Sequence, residues 1–374
     1  MKTMPTVLII QEHMPAFRVP FYERLHELLA ERGVALRLIY APNQRNTFLK
    51  RELSWAEPVA MRWFGPIAWQ PVLAKSSGQD LVIVQQEMKY AVNPLLQIWS
   101  RFGGPKVAYW GHGRNFQKQP ETGVGGAIKR LLSRRVDWWF AYNDLSARVV
   151  KDFGFPPERI TSVGNAVDTT GMRKRLGELA PEEISTLRES HGIFSENVAV
   201  YTGGLYPNKR VGFLLEAARM IRAAIPDFEL IIIGDGPERA MAAEAAQAEP
   251  WIHYLGSKND HDKVPFWAMA KLLLMPGLVG LVVVDSFALG VPLVTTDFPF
   301  HSPEIDYLKD GENGCIVNCG EDVRAYAEAV VSLLQNPTRL GAMKEGALRS
   351  AGLHTIENMA KNFAEGVMRC LSSR

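Results

Sequence analysis

The sequence predicts an α/β protein of two doubly wound, Rossmann-like halves, and three observations carry that prediction. The chain has 374 residues, more than one ordinary hydrophobic core supports. It opens on a strand–helix–strand unit. The apolar run Thr6–Ile10 leads to a helix with Phe21, Leu25, Leu28 and Leu29 on one face, a stop at Gly33, and a second strand over Val34–Tyr40. A new buried strand, Val198–Tyr201, restarts the same alternation after a mixed-charge stretch over residues 169–196, which holds the boundary.

Composition narrows the class. Hydrophobic residues make up 47% and charged residues 22%, the balance of a soluble globular protein. With 42 basic and 40 acidic residues the net charge is +2, which speaks against nucleic-acid binding driven by bulk charge. The three cysteines, Cys315, Cys319 and Cys370, lack metal-ligand spacing and read as reduced thiols of a cytoplasmic protein. Thr6–Ile10 is too short for the apolar core of a signal peptide, and no apolar run reaches 18 residues, so neither secretion nor a membrane span is expected.

In the first half, Asn43–Trp69 is polar and aromatic-rich and reads as no definite element. Strands over Asp80–Gln85 and Lys106–Trp110 flank a helix over Asn93–Phe102. The second of these runs into Gly111-His112-Gly113-Arg114-Asn115, at the carboxyl end of a parallel strand, where open α/β sheets bind ligands. Glycines on both sides of His112 let the backbone approach a ligand and are expected to leave the imidazole exposed; Arg114 is expected to point at phosphate. A helix over Gly123–Arg135 sets Lys129, Arg130, Arg134 and Arg135 among Ile128, Leu131 and Leu132. It reads as a solvated face or as a surface lying on an anionic membrane. A strand over Asp137–Tyr142, a helix over Leu145–Phe153 and a strand over Ile160–Val163 follow. This half has no G-x-G-x-x-G, so no dinucleotide is expected there.

In the second half, Val198–Tyr201 leads into Thr202-Gly203-Gly204-Leu205, then Lys209-Arg210 before a helix over Leu214–Ile225. Paired cations at a helix start are unfavourable without an anion. A strand over Glu229–Ile233 ends in Gly234-Asp235-Gly236-Pro237, and a strand over Ile252–Leu255 in Gly256-Ser257-Lys258. Asp260-His261-Asp262 has the look of a metal motif but precedes a helix over Val264–Ala270, so Asp260 or Asp262 is read as its N-cap. The stretch organising the chain is Leu272–Leu308. An apolar run ends at Pro276. The turn Gly277-Leu278-Val279-Gly280, a buried helix start at Leu281-Val282, Asp285 one turn in, a stop at Gly290 and a strand over Val291–Thr296 follow. Backbone N–H groups at such a start form an anion site, and a carboxylate beside it suits the hydroxyl pair of a ribose. Asp306–Val317 closes the sheet, and helices over Asp322–Leu334, Pro337–Ser350 and His354–Leu371 end the chain.

These motifs resemble family 4 glycosyltransferases, retaining enzymes of GT-B fold. Gly290-Val291-Pro292 and Pro303-Glu304-Ile305 match the family's donor signature; Asp285 takes the second of its two acids, and Gly277 stands where the first belongs. Gly234-Asp235-Gly236-Pro237 is shared, and Asn165-Ala166-Val167-Asp168 is similar to the segment ending the family's first domain. The loop whose Arg and Lys neutralise the donor diphosphate is matched by Lys209, with Gly204 at the Arg position and Arg210 at a usual Gly, where it is expected to supply the displaced charge.

The resemblance implies two Rossmann-like domains facing across a cleft, over residues 1–168 and 169–353, with a helix over 354–374 crossing back onto the first. It implies catalytic roles for His112, Arg114, Lys209 and Asp285. The implied donor site comprises Gly203, Gly204, Arg210, Gly234, Gly236, Ser257, Lys258, Gly277, Gly280, Leu281, Val282 and Glu304; Phe17 and Arg18 lie on the acceptor side. The implied reaction transfers a sugar from a nucleotide diphosphate sugar to a hydroxyl with retention, without metal or cofactor. The acceptor would be lipid-linked or a glycan, in bacterial surface polysaccharide or glycoconjugate synthesis, in the cytoplasm or at the inner face of its membrane. The absent first acid implies a donor sugar that needs no carboxylate on its hydroxyls. Two readings stay open beside it. A GT-B sugar-nucleotide epimerase needs several acid/base residues, of which His112 and Glu304 alone are visible. A catalytically inactive nucleotide-sugar binding protein is the other.

Overall fold

The computed structural model describes residues 4–42, 53–116, 126 and 130–373. The chain divides into two compact units, Met1–Asp168 with Thr355–Arg374, and Thr169–His354.

The first unit runs β1 (Thr6–Gln11), α1 (Val19–Glu31), β2 (Ala35–Tyr40), β3 (Ala56–Pro58), β4 (Arg62–Phe64), β5 (Ile67–Trp69) and α2 (Leu73–Ser76). It continues through β6 (Leu81–Gln85), α3 (Val92–Ser100), β7 (Lys106–Gly111), β8 (Trp138–Ala141), α4 (Asp144–Asp152) and β9 (Ile160–Ser162). Seven strands form a parallel sheet in the order β3-β2-β1-β6-β7-β8-β9. Burial on both faces explains why these strands read as unbroken apolar runs. The segment that showed no period contains the edge strand β3 and the antiparallel hairpin β4–β5, three-residue strands too short to display alternation. Of the anticipated basic helix, residues 130–133 are helical; residues 123–125 and 127–129 lie outside the described residues.

The second unit runs α5 (Thr170–Gly177), α6 (Pro181–His191), β10 (Val198–Thr202), α7 (Val211–Ala224), β11 (Glu229–Ile233), α8 (Arg239–Ala248) and β12 (Ile252–Tyr254). Then come α9 (Asp260–Met269), β13 (Leu272–Leu274), α10 (Val282–Leu289), β14 (Leu293–Thr296), β15 (Gly314–Val317), α11 (Val323–Leu334) and α12 (Pro337–Ala351). Its parallel sheet has the order β12-β11-β10-β13-β14-β15. The expected aspartate cap of α9 is corrected: Asn259 is the N-cap, its side chain accepting from the Asp262 N–H at 2.9 Å.

The last helix, α13 (Ile356–Ser372), belongs to the first unit. Thr355 caps it, and Phe363 stacks on Phe140 of β8 at 4.2 Å between centroids. Gly366 permits that approach, since a Cβ there would lie 2.5 Å from Thr161 Oγ1. No described helix is long and apolar enough to cross a membrane.

Strand order fixes where a ligand can sit. In the first sheet the connections run one way from β1 to β2 and the other way from β1 to β6; in the second, β10 is flanked by β11 and β13 in the same manner. Open α/β sheets bind ligands outside the carboxyl ends of strands at such reversals.

Candidate active site

At the reversal of the second sheet, the loops leaving β10, β11 and β12 are laced by main-chain bonds. Leu205 N–H donates to Asp235 O and Gly234 N–H to Gly256 O, both at 2.9 Å. A Cβ on Gly234 would stand 1.9 Å from Gly203 O, so only glycine fits there. The Tyr206 ring lies over Gly204, in the space a side chain at 204 would take. Ser257 is exposed, and Lys258 sets its ammonium 5.2 Å from the Phe266 ring centre.

Lys209 ends a 3-10 turn over Pro207–Lys209, and its ammonium donates to Leu278 O. No carboxylate pairs with it among the described residues, and burial pushes its pKa down to about 8. The backbone of this turn lies on Gly277: Leu278 N–H donates to Asn208 O at 2.8 Å, and a Cβ on Gly277 would meet Asn208 O at 2.4 Å. Gly277 therefore does more than omit an acid; main-chain atoms fill the place of any side chain.

A diphosphate beside Lys209 would restore the ammonium, so binding should take up protons near and above pH 8. The sign follows from the depressed free-state value: the ammonium contact is fully present below about pH 8 and is lost as pH rises through the bound-state pKa. Calorimetry at pH 8.5 in two buffers of different ionisation heat should report proton uptake. Lys209→Ala should abolish that uptake and weaken nucleoside diphosphate binding about ten-fold or more, since a charge-assisted bond is worth ~1.5–3 kcal/mol. Binding without proton exchange, or with unchanged affinity in the variant, would remove Lys209 from the site.

Arg210 does not stand free to supply charge, and this corrects the expectation. Its guanidinium donates to Gly320 O at 3.2 Å and Thr296 Oγ1 at 3.2 Å, pairs with Glu321, and lies 4.1 Å from the Phe213 ring centre. Its backbone is left-handed, φ 59°, the one such non-glycine among the described residues. A glycine would adopt this conformation without strain; the internal contacts of Arg210 hold it here instead.

Asp285 lies in the first turn of α10, buried, with its Oδ2 accepting from Lys263 Nζ at 2.9 Å. Lys263 also meets Asp260 at 2.7 Å. Burial raises the Asp285 pKa and Lys263 works against that rise. The expected ribose ligand thus has an internal cation as its partner. Lys263 was missed by sequence reading, although a lysine followed by Val264-Pro265-Phe266-Trp267 is a signal, because an isolated cation in an apolar run must find a counter-charge.

His301 was missed as well. Its Nδ1 accepts from Val279 N–H at 3.0 Å and its Nε2–H donates to Thr296 O at 2.9 Å, so the neutral ring pins the Gly277–Gly280 turn to β14. A Cβ on Gly280 would meet no heavy atom nearer than Ser302 Oγ at 3.8 Å. Leu281 and Val282 are half-buried, and Glu304 is buried in the turn Pro303–Tyr307.

In the first unit, His112 follows β7. Its imidazole is half-buried rather than exposed, stacks on Tyr142 at 4.0 Å and leaves Nδ1 without a partner among the described residues. Burial, then the Arg18 charge, pushes its pKa down to about 4, so the ring is neutral at neutral pH. Arg18 is itself buried and donates to Ala166 O at 3.2 Å; Phe17 is exposed. Arg114 is exposed over the Phe116 ring at 4.5 Å. Among the described residues no group of His, Cys, Asp or Glu could hold a metal ion.

Residues 196–336 match the group 1 glycosyl transferases. A putative glycosyltransferase, EpsD of Bacillus subtilis, is 28% identical over 286 residues, covering 71% of each chain. These likenesses support a glycosyltransferase of GT-B fold, similar to family 4. A GDP-mannose-dependent phosphatidylinositol monomannoside mannosyltransferase of Mycolicibacterium smegmatis is 32% identical to it over 177 residues, 44% of this glycosyltransferase and 45% of that one. In shape it resembles Anabaena Alr3699/HepE, solved with UDP (TM-score 0.73, 16% identity, 97% and 99% of the two chains). A glycosyltransferase of Rickettsia africae gives a TM-score of 0.74 at 11% identity, over 99% of each chain. At those identities the structural likeness carries the fold.

Proposed function

We propose that this glycosyltransferase moves a sugar from a nucleotide diphosphate sugar to the hydroxyl of a lipid-linked or glycan acceptor, with retention, in surface polysaccharide or glycoconjugate synthesis. The observation that carries the reading is Lys209: a buried ammonium with no carboxylate partner among the described residues, in a turn held against Gly277 at the sheet reversal. A buried cation of this kind calls for an anion, and a diphosphate supplies one. The Anabaena protein binds UDP and UDP-glucose, which supports the donor class. In the step, the bond from the anomeric carbon to the diphosphate oxygen breaks with its electron pair on that oxygen. The acceptor oxygen bonds the same face of that carbon, and its proton passes to the departing phosphate oxygen. Lys209 would meet the growing charge together with the backbone N–H groups of Gly280 and Leu281, those of Leu278 and Val279 being spent on Asn208 O and His301 Nδ1.

His112 enters on the sugar. A neutral imidazole whose buried Nδ1 has no partner among the described residues can exchange a hydrogen bond with a sugar hydroxyl but contributes no charge to a phosphate. His112→Ala should therefore bind nucleoside diphosphate as the wild type does and transfer sugar about a hundred-fold more slowly. A donor panel scored by mass spectrometry, with steady-state rates on the active pair, tests this. Wild-type turnover in the variant would take the His112 loop out of the site.

A further inference from the structure

The reversal of the first sheet carries a second site. A small slot opens there, at the carboxyl ends of β1 and β6, lined by Gln11, Glu12, Gln85 and Tyr90, with Met61 and Ala68 along one side. Gln11 is 5% exposed, and its Nε2 has no partner among the described residues. A buried amide N–H left unmade is costly, so a ligand oxygen is the natural occupant. Glu12 is held beside it: Oε2 accepts from Lys89 at 2.6 Å and from Tyr90 OH, and its N–H donates to Gln85 Oε1 at 3.0 Å. A fixed donor next to a fixed carboxylate is the pair that binds a hydroxyl, which accepts from one and donates to the other.

The slot adjoins an apolar surface. Ala68 in β5 donates its N–H to Lys89 O at 2.7 Å, and the Lys89 ammonium lies 5.7 Å from the Trp63 ring centre. Beyond it the β4–β5 hairpin presents Trp63, Phe64 and Ile67, each about half exposed or more, and Met88 beside them is half exposed. A short hairpin that exposes three large apolar side chains, with a fourth beside it, marks an interaction surface. Aromatics at a tip beside a polar slot suit an amphiphile, with one wet end and one apolar end.

We propose that this unit binds a hydroxyl-bearing lipid, its hydroxyl between Gln11 and Glu12 and its apolar chain along the β4–β5 hairpin. This deepens the transfer reading by naming the acceptor class, and it rests on that reading. The test uses the full chain and three probes, methyl, octyl and dodecyl β-glucoside below their micelle concentrations, with binding followed by calorimetry and nucleoside diphosphate binding measured alongside. Affinity should rise at least ten-fold from methyl to dodecyl. Trp63→Ser/Phe64→Ser should erase that gain and leave methyl glucoside unchanged. Gln11→Met should weaken all three about ten-fold with nucleoside diphosphate binding intact, and Glu12→Gln, which keeps the shape, should act in the same direction. Equal affinity for methyl and dodecyl probes, no binding of any probe, or a hairpin variant that keeps the gain overturns the proposal. Failure of nucleoside diphosphate binding with the chain-length gain present would instead overturn the transfer reading alone.

Discussion

Gly277→Ala is expected to lower nucleoside diphosphate affinity at least a hundred-fold, a larger loss than Lys209→Ala. One methyl group would lie 2.4 Å from Asn208 O and 2.5 Å from Lys209 C. Both are main-chain atoms and cannot swing aside as a side chain would, so the Pro207–Lys209 turn must move. That movement breaks the Leu278 N–H bond to Asn208 O and takes Lys209 off Leu278 O together. Overpacking costs about 1–3 kcal/mol, and loss of the oriented ammonium adds to it at about 1.4 kcal/mol per decade of affinity. Gly277→Glu restores the family's acid in sequence and should be worse still, because the obstruction begins at Cβ. The two replacements should not add to Lys209→Ala, since they act through the same turn. Calorimetric titration of the three single variants and of Gly277→Ala/Lys209→Ala decides the matter. A gain of affinity or activity in Gly277→Glu would refute the steric account.

Lys263→Met is expected to cost about 3–5 kcal/mol of unfolding free energy, because it leaves the Asp285 carboxylate buried without a cation. Asp285→Asn should cost distinctly less. Its removal of charge leaves Lys263 with Asp260 at 2.7 Å, and Asp260 is largely solvent-facing. The asymmetry is the diagnostic feature, and Lys263→Met/Asp285→Leu should recover most of the loss. Denaturant midpoints of the four proteins test it. Equal losses in Lys263→Met and Asp285→Asn, or no recovery in the double variant, would show that the pair does not hold α9 to α10. The same series separates stability from ligand binding. If Asp285 also serves the ribose, Asp285→Asn should weaken every nucleotide tested while remaining folded.

Much of this was readable because it is local. Strand runs such as Thr6–Ile10 and Val198–Tyr201 and the glycine stops at Gly33 and Gly290 each show within a few residues. The resemblance also drew on short contiguous patterns, of which Gly234-Asp235-Gly236-Pro237 and Pro303-Glu304-Ile305 are examples. What failed to show was either too short for a period, as in the three-residue strands β4 and β5, or a side chain's choice among partners. His112 looked exposed from its glycine neighbours, yet Tyr142 covers it from 30 residues away.

Sequence alone determined that this chain alternates strands and helices in two Rossmann-like halves, with glycine-rich loops after the strands of the second and a histidine loop in the first. Hydrophobic periodicity and turn residues act over one or two turns of chain, so they survive being read in one dimension. The tertiary structure alone decided which charges are available. Lys209 is left with a carbonyl, Arg210 is tied to Gly320 and Glu321, and Asp285 is neutralised by Lys263, 22 residues upstream. Buried charges take the partner that folding brings within about 3 Å, and that distance depends on strand order and loop packing rather than on spacing along the chain.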